Sequence, residues 1–186
     1  MAILTFDDGP DPVYTPLLLD VLAVAGVRAT FFCVGEAARR HPELVRRIDA
    51  EGHAVGHHSL THPHPTGTGL VALVRDWRAG QRAVSVALGR PVRRFRPPYG
   101  ELGRRGRLAA SLLRLRPELW DVDPGDWKPG ADPGAIAAVI RGAGDGEVVL
   151  LHDGAFDPVD EACRDRSATI EAVRRSVGAS AARRPR

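Results

Sequence analysis

Two adjacent aspartates, Asp7 and Asp8, follow a short apolar stretch that begins at Met1. Two like charges at the end of a buried strand repel each other and lose hydration, so a cation or different protonation states must stabilise them. About fifty residues further along the chain, the segment 58–62 contains His58 and His62. Together the two segments offer one carboxylate and two imidazoles to a metal ion, and they leave the second carboxylate free for chemistry.

The spacing of His58 and His62 supports a shared metal ion, because side chains four residues apart on one helical turn point the same way. His57 and His64 lie in the same histidine-rich stretch and are the alternative ligands. Two imidazoles and one carboxylate leave coordination positions open for water and substrate, which is typical of a catalytic site. This ligand set suits Zn²⁺, and also Co²⁺, Mn²⁺ or Ni²⁺.

Hydrolysis at such a metal needs a base and a proton donor. The aspartate that does not bind the metal is the candidate base, and Arg96 is a candidate to keep it ionised and oriented. His152 follows the apolar run 148–151 and is the candidate donor, with Asp123 or Asp126 as the carboxylate that keeps it protonated. The sequence contains no serine nucleophile elbow and no glycine-rich phosphate loop, so neither a serine hydrolase nor a nucleotide-binding protein is predicted.

Two further segments have both a chemical and a structural explanation. A backbone N–H in the turn formed by residues 97–100 is placed to face a developing oxyanion, but the same residues also suit a rigid turn. Asp126 is a candidate partner for the donor histidine, but Asp126 and Trp127 together also suit the cap of a turn, and Trp127 also suits a core side chain.

Strand-like and helix-like segments alternate along the chain, which predicts a parallel sheet covered by helices, either open or closed into a barrel. The polar groups named above follow the carboxyl ends of the expected strands, the edge where parallel α/β folds form active sites. The expected strands are 2–6, 28–34, 54–56, 94–96, 119–122 and 147–151, and the expected helices are 15–25, 36–51, 70–88, 108–115, 133–143 and 167–177.

The composition is that of one globular domain, with 186 residues of which 44% are hydrophobic. All but one of the 26 basic residues are arginine, but they are spread among 23 acidic residues and the net charge is only +3, so nucleic-acid binding is not expected. Cys33 and Cys163 make no disulfide framework. We expect no membrane span. No signal peptide precedes Met1, so we expect a cytoplasmic protein or the excised domain of a secreted or cell-wall protein.

Five short motifs occur along the chain, namely Thr5-Phe6-Asp7-Asp8-Gly9-Pro10, His58-Ser59-Leu60-Thr61-His62, Arg96-Pro97-Pro98-Tyr99, Asp123-Pro124-Gly125-Asp126-Trp127 and Leu150-Leu151-His152. Their order is typical of the polysaccharide deacetylase family, carbohydrate esterase family 4. The chain resembles the nodulation-type deacetylase domain of this family from Thr5 to about Val177. The resemblance implies a distorted, incomplete (β/α) barrel that removes acetyl groups from N-acetylated sugars.

The resemblance also implies a role for each matching residue. Asp7 resembles the general base, Arg96 the residue that orients it, and His152 the general acid. An aspartate of the fourth motif resembles the partner of the acid, with Asp126 preferred to Asp123. The other matching positions are the metal ligands Asp8, His58 and His62, and the substrate contacts Pro98, Tyr99, Trp127 and Leu150. Of these contacts, Tyr99 matches the backbone N–H for the oxyanion, and Trp127 and Leu150 match the pocket for the acetyl methyl group.

The chain departs from the family pattern in two places. His57 stands where members commonly carry an asparagine, and a final aromatic-rich strand is missing after the last helix. We therefore expect a barrel that lacks its last strand, with an open edge or a partner contact in its place. We assign residues 1–178 to the catalytic domain and 179–186 to a disordered tail.

The sequence thus predicts a metal-dependent hydrolase that acts on an acetylated glycan containing N-acetylglucosamine, such as peptidoglycan, chitin or chitooligosaccharides. The first alternative is an O-acetyl esterase that acts on acetylated xylan or a related glycan with the same site. The second is a non-catalytic, metal-stabilised glycan-binding module, although binding alone would not need both Asp7 and His152. The sequence leaves the oligomeric state open.

Overall fold

Six parallel strands form one curved sheet in the order β5-β4-β3-β2-β1-β6. The computed structural model describes residues 1–156 and 161–181. The strands are β1 Ile3–Asp7, β2 Thr30–Cys33, β3 Ala54–His57, β4 Arg94–Phe95, β5 Arg116–Pro117 and β6 Val148–His152. The helices are α1 Tyr14–Ala25, α2 Gly35–Arg40, α3 Pro42–Ala50, α4 Leu70–Leu88, α5 Arg104–Leu112, α6 Pro133–Gly142 and α7 Ser167–Ala181. The predicted incomplete (β/α) barrel is confirmed.

The two faces of the sheet carry different side chains, as the two-residue period of a strand requires. In β1, Leu4 and Phe6 pack into the apolar core between the sheet and the helices, whereas Thr5 and Asp7 point to the inner face. In β6, Leu151 belongs to the same core. The inner face of the barrel therefore receives the polar residues at the ends of the strands.

Most helices have the bounds that their local signals predict. Gly26 directly follows α1 and Gly89 directly follows α4, and both glycines have the left-handed backbone that a side chain would strain. The helix expected at 36–51 is in fact two helices, because Pro42 lacks an N–H group and occupies the first turn of α3. α5 begins at Arg104, four residues before its expected start.

Residues 116–122 connect the two edges of the sheet. Their first part is β5, which pairs with β4, and their last part makes a parallel bridge between Val122 and Val149 of β6. The strand expected at 119–122 is therefore only a single bridge, because the segment crosses from one edge of the sheet to the other. This crossing covers part of the edge beyond β6, where an open edge or a partner contact was expected.

The end of the chain differs from the expectation in one respect. α7 continues to Ala181, past its expected end at Val177. The part of the expected tail at 182–186 lies outside the described residues. Within residues 1–156 and 161–181, no helix is long and apolar enough to cross a membrane.

Candidate active site

Asp8, His58 and His62 each place one potential ligand atom within 4.8 Å of the others. The Nε2 atoms of the two histidines are 3.1 Å apart, and Oδ1 of Asp8 lies 3.7 Å from His58 and 3.5 Å from His62. This Oδ1 atom is buried and has no hydrogen-bond partner in the described part of the chain. A divalent cation would satisfy a buried carboxylate oxygen that faces two imidazole nitrogens, so the donor set fits a metal ion.

Both histidines of this cluster are in the form that binds a metal. Burial lowers the pKa of His58 well below its usual value, and the neighbouring His62 lowers it further. Burial also lowers the pKa of His62. Nδ1 of His58 lies 2.7 Å from the carbonyl oxygen of Arg96, which can only accept, so Nδ1 carries the proton and Nε2 keeps its lone pair.

A loop at residues 58–62 after β3, which we call the histidine loop, brings the two histidines together instead of a helical turn, so the helical explanation of their spacing was wrong. Ser59 and His62 have φ values of 66° and 55°, which no α-helix contains. The hydroxyl of Ser59 accepts from the backbone N–H of His62 at 2.9 Å. Asp76 of α4 accepts from two further N–H groups of the loop, at 3.0 and 3.1 Å. Side-chain acceptors thus hold the loop in shape.

Asp7 is buried against the fully buried guanidinium of Arg96. Arg96 donates to Oδ1 of Asp7 at 2.9 Å, to the hydroxyl of Thr5 at 2.7 Å, and to the carbonyls of Glu118 and Leu119 at 3.1 Å each. Burial raises the pKa of Asp7 and the charge of Arg96 opposes this, with a net value of about 6. Asp7 is therefore an oriented carboxylate that is largely ionised at neutral pH.

The backbone turns sharply after Asp7, because Asp8 has a φ of 74°. The next residue, Gly9, has no room for a side chain, since a Cβ atom there would overlap the carboxylate of Asp153. That carboxylate accepts from the hydroxyl of Thr15 at 2.5 Å, and burial raises its pKa to about 7. This close packing directs Asp8 toward the histidines while Asp7 remains with Arg96.

His152 and Asp126 form a second buried pair. Nδ1 of His152 is 2.8 Å from Oδ1 of Asp126, and Oδ2 of Asp126 accepts from the backbone N–H of His152 at 2.9 Å and from Thr169 at 2.8 Å. Burial opposes both charges, but the pair outweighs it: the pKa of Asp126 is lowered and that of His152 is raised to about 9. His152 is therefore protonated at neutral pH.

The two aspartates of the segment 123–127 have different partners. Asp123 accepts from the backbone N–H of Gly125 at 2.8 Å and from Nε1 of Trp127 at 3.3 Å. The turn cap considered for this segment is thus Asp123, whereas Asp126 contacts His152. Trp127 is 46% exposed and does not lie in the core.

The predicted substrate contacts Tyr99, Pro98 and Leu150 differ in their exposure. Tyr99 is half exposed and has a φ of 58°, and its ring lies 4.6 Å from that of His62. Pro98 before it is buried. Leu150 is buried too, but it is absent from the core cluster that contains both of its neighbours in β6. A cleft of about 460 Å³ lies beside Asp8.

His57 and His64, the two alternative ligands, do not join the ligand set of Asp8, His58 and His62. The ring of His64 stacks on Tyr99, with centroids 3.6 Å apart. The ring of His57 packs 4.7 Å from that of Phe95, and burial lowers the pKa of His57 to about 3. His57 therefore occupies the asparagine position of the family as a neutral, packed side chain.

Sequence reasoning missed several residues that support the two pairs. Thr169 in the first turn of α7 and Arg166 just before this helix both contact Asp126, and the guanidinium of Arg166 donates to the carbonyl of Asp126 at 3.2 Å. Neither residue lies in a motif, so no local signal marks them. The hydroxyl of Thr5 does lie in the first motif, beside Asp7.

The fold and this cluster of residues define a metal-site hydrolase of the (β/α)-barrel type, and comparison with known proteins gives the family. The family model for polysaccharide deacetylase matches residues 1–117. The chain belongs to this family.

Individual relatives agree with this assignment. The chain is 40% identical over 182 residues to a chitooligosaccharide deacetylase from Sinorhizobium fredii, which covers 95% of this chain and 83% of the relative. It is 35% identical over 175 residues to a peptidoglycan-N-acetylglucosamine deacetylase from Bacillus cereus, covering 91% and 76%. A solved family 4 carbohydrate esterase from Streptomyces lividans, in complex with acetate, superposes with a TM-score of 0.85 at 35% identity, covering 97% and 88%.

Proposed function

We propose that this protein is a metal-dependent deacetylase that removes acetyl groups from the N-acetylglucosamine units of a glycan. The family and the names of its relatives, which are chitooligosaccharide and peptidoglycan deacetylases, support this class of substrate. The observation that carries the proposal is the presence of two buried ionised pairs beside one metal-type cluster. Asp7 and His152 are register partners on β1 and β6, so a base and an acid lie on neighbouring strands.

Asp8, His58 and His62 would hold the metal, and we infer Zn²⁺ as its identity, with Co²⁺, Mn²⁺ and Ni²⁺ as ions that the same donor set accepts. A bound ion of this kind lowers the pKa of water and polarises a carbonyl oxygen. The fixed tautomer of His58 and the low pKa of both histidines mean that the site needs no proton release from these rings before a cation binds.

In this proposal Asp7 accepts the proton of the attacking water, because it is an ionised carboxylate whose pKa of about 6 suits a general base at neutral pH. Arg96 keeps Asp7 in one orientation through a 2.9 Å hydrogen bond. As the water adds to the acetamide carbon, the backbone N–H of Tyr99 donates to the developing oxyanion.

The second half of the reaction requires a proton on the departing nitrogen. His152 supplies it, because Asp126 keeps the imidazole protonated up to a pH of about 9. Trp127 and Leu150 contact the methyl group of the acetyl moiety. The products are acetate and the free amine of the sugar. The proton taken by Asp7 returns to solvent, and His152 regains a proton from solvent, so both groups are ready for the next turnover.

An O-acetyl esterase would use the same residues, since an ester is a less demanding substrate for the same attack. The distinction therefore depends on the substrate and not on the geometry of the site. A glycan-binding module without activity is less well supported, because binding does not require a base held by Arg96 or an acid held by Asp126.

Acetate release from a panel of acetylated glycans tests the proposal. Chitooligosaccharides, peptidoglycan and acetylated xylan are compared for the wild type and for Asp7→Asn, each with and without a chelator. We expect the wild type to release acetate from at least one N-acetylated glycan. We expect both the chelator and the Asp7→Asn substitution to reduce this release by at least about 100-fold, as for other general bases.

Three results would contradict specific parts of the proposal. Full activity in the presence of chelator would show that the reaction needs no metal. Full activity of Asp7→Asn would show that Asp7 is not the general base. Release from acetylated xylan alone replaces the N-deacetylase with the O-acetyl esterase.

A further inference from the structure

A groove beside α4 is lined by several arginines and, in the part of the chain that the structure describes, by no acidic side chain. Its volume is about 780 Å³. The groove lies where the chain enters β4 and β5, whereas the candidate active site lies at the carboxyl ends of the strands. Its arginines are Arg78, Arg82, Arg90, Arg93 and Arg114.

Most of this positive charge is not neutralised within the described residues. Arg90 pairs with Asp49 at 2.5 Å. No ion pair with a described carboxylate is found for the other four arginines of the groove. Arg78 and Arg82 are four residues apart on one side of α4, where like charges repel each other. A bound anion would relieve this repulsion.

The helix dipole does not account for the cluster. Basic residues are favourable near the carboxyl end of a helix, but the effect is confined to the last turn. α4 ends at Leu88, so Arg78 and Arg82 lie before its last turn, and Arg93 and Arg114 lie outside the helices altogether.

The backbone around the groove is held in one arrangement. Gln81 donates from its side-chain amide to the carbonyl of Val92 at 2.8 Å, and the hydroxyl of Ser85 accepts from the N–H of Val92 at 3.0 Å. Both bonds tie the segment that carries Arg90 and Arg93 to α4. An anion that binds here would therefore order only side chains, which reduces the entropic cost of binding.

We propose that this groove binds a polymer that carries repeated phosphate groups and no nucleobases. The planar guanidinium of arginine bonds a phosphate group through two parallel hydrogen bonds, and several arginines along one groove suit a chain of such groups better than a single ion. None of the residues described along the groove is aromatic, so the stacking that binds single-stranded nucleic acids is missing. The site is separate from the proposed deacetylase chemistry.

The test measures the binding of fluorescently labelled inorganic polyphosphate to the whole protein by fluorescence anisotropy at several salt concentrations. The double variant Arg78→Glu with Arg82→Glu is compared with a matched control, Arg104→Glu with Arg105→Glu on α5. Both double variants change the net charge by the same amount. Neither pair lies in the candidate active site, so both variants should release acetate as the wild type does.

We expect the groove variant to bind polyphosphate at least about tenfold more weakly. We also expect its plot of log affinity against log salt to have a slope smaller by about two, because two phosphate contacts are lost. The control variant should keep its affinity within about twofold, since it lies outside the groove. If the groove variant does not fold, the single change Arg93→Gln should reduce the slope by about one.

Several outcomes would overturn the inference. Equal weakening in both double variants would mean that only net charge attracts the polymer. If the wild type did not bind polyphosphate at low salt, the groove would not be a binding site for such a polymer. Tighter binding of an oligothymidylate than of polyphosphate with the same number of phosphates would replace the proposed polymer with a nucleic acid.

Discussion

Replacing Asp126 with asparagine should change the pH dependence of acetate release more than its maximum. Asp126 contacts His152 at 2.8 Å, and asparagine has nearly the same shape without the charge. If His152 is the proton donor, activity must fall as the pH rises through the pKa of this histidine. The substitution therefore moves the alkaline limb of the profile to lower pH. The acidic limb depends on Asp7, whose pKa is lowered by the charge of His152, so this limb moves to higher pH only where His152 has lost its proton.

The size of the effect follows from the two opposing influences on His152. Burial lowers its pKa, and the charge and hydrogen bond of Asp126 raise it to about 9. Without the charge of Asp126, burial dominates. We therefore expect the pKa of His152 to fall at least to 6.5, which is the ordinary value for histidine. At pH 8 about 90% of the wild type and about 3% of the variant would then carry the proton, a loss of about 30-fold. At pH 7 the loss would be about fourfold.

The assay is kcat/KM for acetate release between pH 5 and pH 10 at constant ionic strength, expressed as the ratio of wild type to Asp126→Asn at each pH. At pH 8 and above, where Asp7 is ionised in both proteins, the ratio reports the protonation of His152. Asp123→Asn is the matched control, because Asp123 contacts Gly125 and Trp127 instead of His152. A ratio that does not change with pH, or an equal shift in Asp123→Asn, would refute the assignment of His152 as an acid held by Asp126.

Three further predictions concern stability and metal binding. Arg96→Met should lower the free energy of unfolding by about 3–5 kcal/mol, because the buried carboxylate of Asp7 loses its cation; urea denaturation measures this. Gly80→Ala should lower it by about 1–3 kcal/mol, because a Cβ atom there would overlap the backbone of the histidine loop, whereas Gly142→Ala has open space and should change it by less than about 1 kcal/mol. Asp8→Ala should weaken Co²⁺ binding more than about tenfold, as followed by visible absorption.

Each of these predictions has its own contradicting result. If Arg96→Met left the free energy of unfolding unchanged, Asp7 would be uncharged or solvated in the folded protein. Equal effects of the two glycine substitutions would mean that the contact between α4 and the histidine loop adjusts freely. Unchanged Co²⁺ affinity in Asp8→Ala, or an equal loss in His64→Ala, would place the ion elsewhere in the histidine-rich segment.

The elements that sequence reasoning predicted correctly are those whose signals are local. The bounds of α4 follow from helical apolar spacing and a terminal glycine, both of which are read within a few residues. The histidine loop was mispredicted because its left-handed residues depend on Asp76, which belongs to a helix further along the chain. Residues 116–122 were mispredicted because the path of the chain from one edge of the sheet to the other, and not their own β-propensity, decides which strands they pair with.

The candidate site shows the same division. The motifs contain the residues that meet in the structure, but they do not contain the groups that orient them. Backbone carbonyls have no sequence signature, so the bonds from Arg96 to Glu118 and Leu119 were not predictable. Of Asp123 and Asp126, Asp126 is the one that accepts a hydrogen bond from Thr169, a residue more than forty positions further along the chain.

The adjacent aspartates illustrate how the fold separates two like charges. Asp7 is the last residue of β1 and faces the barrel interior, where Arg96 is a cation that belongs to the protein itself. Asp8 lies one residue beyond the strand, and its left-handed backbone turns it toward two neutral histidines that provide no positive charge. Folding therefore neutralises one carboxylate permanently and leaves the other dependent on a bound cation. It follows that a cation should raise the unfolding free energy of the wild type by an amount that increases with its concentration, and that Asp8→Ala should reduce this increase.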